Sequence, residues 1–196
     1  MKVLKSYRHM PLALEQTLRE SFHRFEFRKH QHVHEPDSIC DYIYFVEKGV
    51  LRYYYNPGDK YEVVRFKKQN DFIYCLKSAS SDDTSRLGIE ALENCVLWGL
   101  PGSLVPIIQE KYIEFWRHHQ AILAKELIQL ETYRLYSKGI PDSFRFDYLR
   151  QEAPDLINRV PVRYLARYTQ IPEKVFRHLQ RSKIKLHMIS SWRHKR

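Results

Sequence analysis

The sequence predicts an α+β protein in which an antiparallel, jelly-roll-like β-roll is followed by a long helix and a C-terminal helix-turn-helix domain. Residues 23–100 contain short runs of aromatic and β-branched residues separated by turn signals, which is typical of such a roll. Residues 111–138 contain neither glycine nor proline over 28 positions, as a long helix requires. The net charge of +10 lies entirely in residues 157–196, which hold 11 Lys and Arg against one acid, Glu173.

The composition limits the class of protein to which the chain can belong. Its 196 residues can bury a sizeable core in one or two domains. Cys40, Cys75 and Cys95 have no paired spacing, which argues against a disulfide framework or a metal-binding cysteine set. Because no apolar run reaches ~18 residues and the N-terminus lacks a secretory signal, we expect a cytoplasmic protein without a membrane partner. No cofactor is expected.

The first predicted elements are a short helix and an alternating strand. Pro11–Phe22 is predicted to be helical, because Leu14 and Leu18 recur at helical spacing and proline suits a first helical turn. The period then changes to two, with Phe25 and Phe27 alternating with charged residues.

The middle of the roll is predicted from one long aromatic segment. Residues 41–55, DYIYFVEKGVLRYYY, are predicted to be strand broken at Gly49. The turn signal at 56–59 joins this segment to a partner strand over 61–66. Further short strands are predicted in NDFIYCL, LGIEAL and NCVLWGL, with a loop over Ser78–Ser85.

The long helix is predicted from about Lys111 to Lys138, after a short helix that Ser103 is expected to cap. At ~1.5 Å per residue it is roughly 40 Å long, which favours a second copy of the chain as its cover. Packing along the chain's own roll is the alternative. The sequence Gly139-Ile-Pro-Asp ends the helix and forms a hinge. One stripe of the helix is apolar: Ile113, Trp116, Leu123, Leu127 and Leu130, with Ala124, Ile128 and Leu135 beside it.

Residues 162–181 have the pattern of a helix-turn-helix. Leu165 and Ala166 are expected to pack a first helix on a second, and Ile171 to fill the core from the turn. Pro172 and Glu173 suit the start of the second helix. Its inner face is predicted to consist of Val175, Phe176 and Leu179.

The outer face of that second helix is basic, which predicts binding to double-stranded DNA. Arg177, His178 and Arg181 are expected to read or anchor the DNA from the helix. Phosphate contacts are expected mostly from Lys174, Arg163, Arg167, Lys183 and Lys185. An ordinary helical hairpin with a solvated basic face is the alternative.

With these residues in place, the chain resembles the Crp/Fnr family of bacterial transcription regulators over essentially its whole length. IYFVEKGVLRYYY resembles the roll strands of that family around a characteristic glycine, and PVRYLARYTQIPEKVFRHLQR resembles its DNA-binding signature. The resemblance implies a cyclic-nucleotide-binding-like roll over 1–110, a dimerisation helix over 111–139 and a winged helix-turn-helix domain over 140–196. It also implies a homodimer on a pseudo-palindromic promoter site, with a small-molecule effector in the roll.

The sequence departs from the family at the effector residues. Cyclic-nucleotide-binding members carry Gly-Glu where this chain has Tyr74 and Cys75, and an arginine before a small polar residue near Ser85 and Arg86. The resemblance therefore makes these four residues the rim of an effector pocket, while predicting that cyclic AMP does not bind in the usual mode. Iron–sulfur sensing is not expected either, since no cysteine precedes Cys40.

The DNA-binding segment departs from the family as well. Gln170 stands where glycine is usual in the turn, and must adopt a conformation that glycine reaches freely, at a cost of ~1 kcal/mol. His178 stands where the family has arginine and lacks its bidentate fork for guanine. The sequence preference is expected to differ from the family norm. A small-molecule sensor with a degenerate DNA-binding domain is the alternative function.

Three histidines, His30, His32 and His34, are predicted to share one face of a strand. A metal-dependent enzyme on a β-roll is the corresponding hypothesis, but the carboxylate and later histidine of cupin enzymes are missing at the required places. No catalytic triad, P-loop or paired-carboxylate motif occurs. We therefore expect neither a bound metal nor an enzymatic activity.

Overall fold

The computed structural model describes residues 2–7, 9–56, 58, 61–74, 83–137 and 139–182. The chain divides into two compact units, residues 1–130 and 131–196, and the long helix contributes to both. The predicted loop over Ser78–Ser85 and the wing beyond residue 182 lie largely or wholly outside the described residues.

The first unit begins with two helices, α1 (Lys2–Tyr7) and α2 (Leu12–Ser21). Leu14 and Leu18, which predicted α2, are fully buried, and Leu4 of α1 lies in the same core cluster. The predicted N-terminal helix is confirmed. It starts directly after Pro11, whose fixed φ of −58° suits a helix entry.

Among the described residues, eight strands form the roll as two four-stranded antiparallel sheets. The orders are β1-β8-β3-β6 and β2-β7-β4-β5, so the jelly-roll-like fold is confirmed. The buried side chains between the strands include Val46, Leu51, Ile89 and Leu97. The strands are β1 (His23–Phe27), β2 (His32–His34), β3 (Tyr42–Lys48), β4 (Val50–Tyr55), β5 (Glu62–Lys68), β6 (Phe72–Ile73), β7 (Leu87–Ala91) and β8 (Cys95–Pro101).

Gly49 separates β3 from β4, which belong to different sheets. Its φ of +114° is one that only glycine adopts without strain. A Cβ there would stand 2.3 Å from Sγ of Cys95, so a side chain is also excluded by space. Beyond Gly49, β4 pairs antiparallel with β5, with Tyr55 opposite Glu62, as the turn signal predicted.

Two helices follow the roll, α3 (Leu104–Lys111) and the long α4 (Ile113–Ser137). The predicted start of the long helix at Lys111 is wrong by two residues, because Tyr112 is extended with φ −133° and ψ 104°. The predicted capping role of Ser103 is also wrong, since its side chain makes no capping hydrogen bond to α3.

The face of α4 that packs on the roll is different from the apolar stripe of the sequence analysis. Phe115 and Ile122 are buried there with Glu126 and His118. The stripe residues Trp116 and Leu127 are exposed. The first part of α4 therefore does lie along its own roll, as the alternative held, and it still leaves an uncovered apolar face.

Over residues 139–182, the second unit is helical. Phe146, Leu165 and Phe176 are its largest fully buried side chains, and they come from three of its helices. The helices are α5 (Asp142–Glu152), α6 (Pro154–Arg159), α7 (Val162–Thr169) and α8, which is described over 173–182.

In the part of the chain that the structure describes, no helix is long and apolar enough to cross a membrane.

Candidate nucleic-acid interface and effector region

The turn between α7 and α8 is closed by backbone bonds and one buried side chain. Gln170 has φ +55° and ψ 29°, the left-handed conformation expected where the resembling family has glycine. The amide of Ile171 donates to the carbonyl of Ala166 at 3.0 Å, and the Ile171 side chain is buried. Leu165 and Ala166 are buried too, so the predicted packing of the two helices is confirmed.

Arg145 of α5 holds this turn from outside the motif. Its Nη1 donates to the carbonyl oxygens of Thr169 at 2.7 Å and Gln170 at 3.0 Å, and its Nη2 pairs with Asp142. These carbonyls end α7 and would otherwise lack partners within the helix. Sequence reasoning missed Arg145, because no local pattern links it to a turn 25 residues later.

The inner face of α8 is narrower than predicted. Phe176 is fully buried and meets the ring of Phe146 edge-on, with 5.0 Å between centroids. Leu179 is half-buried. Val175, which was predicted to face inward, is 37% exposed. This part of the prediction is wrong, because the inward position on α8 is taken by Phe176, which packs on Phe146 of α5.

The outer face of α8 is basic and exposed. Lys174, Arg177, His178 and Arg181 all lie on the surface, as the sequence predicted. The Arg177 guanidinium binds the Glu173 carboxylate one turn earlier, with its Nη2 at 2.6 Å. His178 lies beside Ser182, whose hydroxyl donates to the His178 carbonyl at 2.9 Å.

The remaining predicted DNA-contacting residues lie on α7 or beyond α8. Arg163 is exposed and stacks over the Tyr164 ring at 4.7 Å, while Arg167 is half-buried. Lys183 and Lys185 lie outside the described residues.

In the first unit, two bases of β5 meet one acid of α4. We call Arg65, Lys67 and Glu126 the roll–helix cluster. Arg65 Nη1 donates to Glu126 Oε2 at 3.1 Å, and Lys67 Nζ binds Oε1. Only 1% of the Lys67 side chain is exposed, and burial lowers its pKa while Glu126 opposes that shift. Alternation in β5 would have placed both bases on one face, but nothing local pairs them with Glu126.

Of the four predicted effector-pocket residues, the three that the structure describes lie in different surroundings. Tyr74 is buried in the cluster under α4, where its ring stacks on His119 with 5.5 Å between centroids, and burial raises its pKa. Ser85 is buried beside Ser38, to whose carbonyl its amide donates at 3.0 Å. Arg86 is exposed, and Cys75 lies outside the described residues.

Comparison with known proteins supports the architecture through similarity of structure, while sequence comparisons find no match. No family model and no curated protein matches the sequence. FixK2 from Bradyrhizobium japonicum superposes with a TM-score of 0.72 at 19% identity, covering 86% of this chain and 86% of that one. The regulator CLP from Xanthomonas campestris gives 0.70 at 14% identity over 89% and 92% of the two chains. A regulator described as crp/fnr family from Eubacterium rectale gives 0.69 at 14% over 88% and 83%.

The chain has the Crp/Fnr fold. The resemblance drawn from roll strands and the helix-turn-helix signature is thereby confirmed at the level of the fold.

Within this Crp/Fnr fold, the three histidines of the metal hypothesis do not converge. His30 has φ +70° and precedes β2, whose pairing with β7 shifts register between His32 and His34. The prediction that they share a strand face is wrong. They bind separate partners, His30 to Glu90, His32 to Glu35 and His34 to Ser38. Among the described residues no group of three ligating side chains could hold a metal ion.

Two adjacent histidines of α4, His118 and His119, are buried and half-buried. His118 is buried, and His119 lies between the rings of Tyr74 and Phe115. The amide of Gln109 donates to Nδ1 of His119 at 2.7 Å. Burial lowers the pKa of His119.

Proposed function

We propose that this chain is a homodimeric DNA-binding transcription regulator of the Crp/Fnr type, and that it is not an enzyme. The observation that carries the proposal is the pair of helices α7 and α8 with the turn between them. Leu165, Ile171 and Phe176 are packed inward, and basic side chains are exposed on the outer face. The excess positive charge of the chain lies in the same segment. Two neighbours of the same fold, those from Xanthomonas campestris and Eubacterium rectale, are described as regulators, which supports this assignment.

In this proposal α8 enters the major groove. Arg177, His178 and Arg181 would contact base edges or anchor the helix on the backbone. Lys174 and Arg163, which are exposed, and the half-buried Arg167 would contact phosphates, together with Lys183 and Lys185. In a bacterium the DNA lies in the cytoplasm, so the proposed DNA binding supports a cytoplasmic location.

The exposed face of α4 supports a homodimer. Ile113, Trp116, Leu127 and Ile128 are 60%, 44%, 58% and 61% exposed, on the side of the helix away from the roll. Ile113, Trp116, Gln120, Leu123, Leu127 and Leu130 follow the alternating three- and four-residue spacing of a coiled-coil seam. A second copy would cover this seam and place two α8 helices on a pseudo-palindromic site.

The position of Tyr74 bears on which effector the protein could bind. Tyr74 packs against His119 under α4, where it occupies space that a glycine would leave open. This supports the inference that cyclic AMP does not bind in the usual mode of the family. A small-molecule effector of another class, with Tyr74, Cys75, Ser85 and Arg86 at the rim of its pocket, stays part of the proposal.

The test is selection of bound sequences from a random duplex pool by the purified protein at near-physiological salt. We expect a two-fold-symmetric motif with half-sites about one helical turn apart. The double variant Arg177→Ala, Arg181→Ala should then weaken binding to that motif by roughly 100-fold, since each arginine contributes a charge-assisted contact.

Arg150→Ala is the matched control, because Arg150 is an exposed base of the same unit on α5. It should leave binding within about two-fold, as a charge remote from the contact face is screened. Equal losses in the control and in the double variant would refute the assignment of the α8 face. A pool without any enriched motif, bound only at low salt, would favour the sensor with a degenerate DNA-binding domain.

A further inference from the structure

The roll–helix cluster places two cations around one carboxylate in the interior of the first unit. Lys67 and Glu126 expose only 1% and 6% of their side chains, and Arg65 exposes 14%. Nε of Arg65 is buried and has no hydrogen-bond partner among the described residues. Taking such charges out of water is costly unless an opposite charge meets them, so the bases depend on Glu126.

The bases are also held in place by the roll itself. The Arg65 guanidinium stacks over the ring of Tyr53 at 4.2 Å. The Tyr53 hydroxyl in turn donates to the Tyr74 carbonyl at 3.1 Å and accepts from the Tyr74 amide at 3.0 Å. Arg65 is thus oriented by the Tyr53 ring of the roll as well as by Glu126 of α4.

We propose that Arg65 and Lys67 form a carboxylate-binding site of the roll whose occupant is Glu126 of the chain's own long helix. The helix is anchored as an internal ligand, and this anchoring requires no added effector. A second ion pair, Lys125 with Asp71 at 3.7 Å, lies at the exposed edge of the same contact. The proposal is independent of DNA binding, and its test uses no DNA.

The decisive variant is Glu126→Ala in the full-length protein, followed by amide hydrogen exchange over residues 113–130 and by thermal unfolding. We expect roughly 100-fold faster exchange in this segment and a Tm lower by roughly 10 °C, since removing one partner leaves buried charges unpaired. Acetate, which matches the deleted carboxylate fragment, should restore both values. Chloride at the same ionic strength should not.

Glu110→Ala is the matched control, because Glu110 is an exposed acid on the neighbouring helix α3. It should change neither exchange nor Tm, with or without acetate. If Glu126→Ala exchanges and melts like the parent protein, the helix is held by apolar contacts alone and the proposal is wrong. Loosening that acetate and chloride reverse equally would refute a carboxylate-specific site.

A second variant keeps the test decisive where Glu126→Ala fails to fold. Lys67→Met combined with Glu126→Met removes the directly bonded pair and leaves side chains of similar volume. The double variant should melt above the Glu126→Met single variant, because Glu126→Met alone leaves two buried cations unpaired and the double variant leaves only Arg65. A double variant that melts below Glu126→Met would show that the two residues act independently, which contradicts the proposal.

Discussion

Gln170 shows how one residue can raise the conformational free energy of the turn in a helix-turn-helix motif. Its left-handed conformation, with φ +55°, disfavours any side chain with a Cβ. Arg145 compensates by binding the two carbonyl oxygens that this conformation turns outward. The predicted strain is present, and the interaction that offsets it comes from a helix that sequence reasoning did not connect with the turn.

Gln170→Gly is therefore expected to stabilise the protein. The free energy of unfolding should rise by about 1 kcal/mol, because glycine adopts the left-handed region without a steric penalty. Urea denaturation of the purified chain measures the change. Gln151→Gly, at an exposed position inside α5, is the control and should lower stability by a similar amount. A fall in stability for Gln170→Gly would show that the turn is not strained.

His119 links local burial to a pH dependence. Burial lowers its pKa from the ordinary value of 6.5, and the amide of Gln109 requires an unprotonated Nδ1. As pH falls, the unfolded chain therefore binds a proton before the folded chain does. The stability that neutral His119 contributes is present above pH 6.5 and is lost as pH falls through the lower pKa of the folded state.

We predict that the free energy of unfolding falls between about pH 7 and pH 5, and that His119→Gln makes this fall shallower. Part of the dependence should persist, because burial also lowers the pKa of His34. Urea unfolding at a series of pH values measures it. His23→Gln, at an exposed position on β1, is the control and should keep the slope of the parent protein. If the free energy of unfolding of His119→Gln depends on pH as steeply as that of the parent protein, His119 is not the source of the dependence.

At the scale of elements, α4 serves two different surfaces. One face carries Phe115, Ile122 and Glu126 into the roll, and the opposite face exposes Trp116 and Leu127. The apolar stripe was visible in the sequence because its spacing is regular. The roll-facing side was not, because a histidine pair and a glutamate interrupt it, and their burial depends on Tyr74 and Lys67 from distant strands.

Leu127→Glu is predicted to separate the proposed dimer without unfolding the chain. Leu127 is exposed within one copy, so the change removes no intramolecular core, while two added charges would face each other across the seam. The dissociation constant should rise by at least ~100-fold, as sedimentation equilibrium would measure. Gln129→Glu adds the same charge at an exposed position off the stripe and should leave the dimer intact. A monomeric parent protein would contradict the proposed seam.

The strands illustrate which features of a sequence determine an element. Gly49 and the turn signal at 56–59 correctly separated β3, β4 and β5, although β5 ends two residues later than predicted, because glycine and turn residues act through local backbone geometry. The histidines of β2 were placed wrongly, because the left-handed turn at His30 and the bulge after His32 arise from pairing with β7. Periodicity predicts which residues alternate, but it does not reveal where a register shifts.

At the scale of the whole molecule, charge is divided between the two parts of the sequence. Residues 1–156 carry equal numbers of acidic and basic residues, and the whole +10 follows Leu156. Composition alone therefore indicates where the proposed nucleic-acid interface lies. The interior charges of the first unit, among them the roll–helix cluster, were invisible to that argument because they nearly cancel.

The ion pair between Arg177 and Glu173 has a consequence for how the proposed regulator would choose among sites. In the free protein Arg177 already has an anionic partner on its own helix, at 2.6 Å. On DNA it would exchange one anion for another, so the contact adds little to overall tightness. At a site that offers Arg177 no good acceptor, the arginine would keep Glu173 as its partner, so an unfavourable base there would carry little penalty. The ion pair would therefore make the protein less selective at this position, besides adding little affinity for DNA.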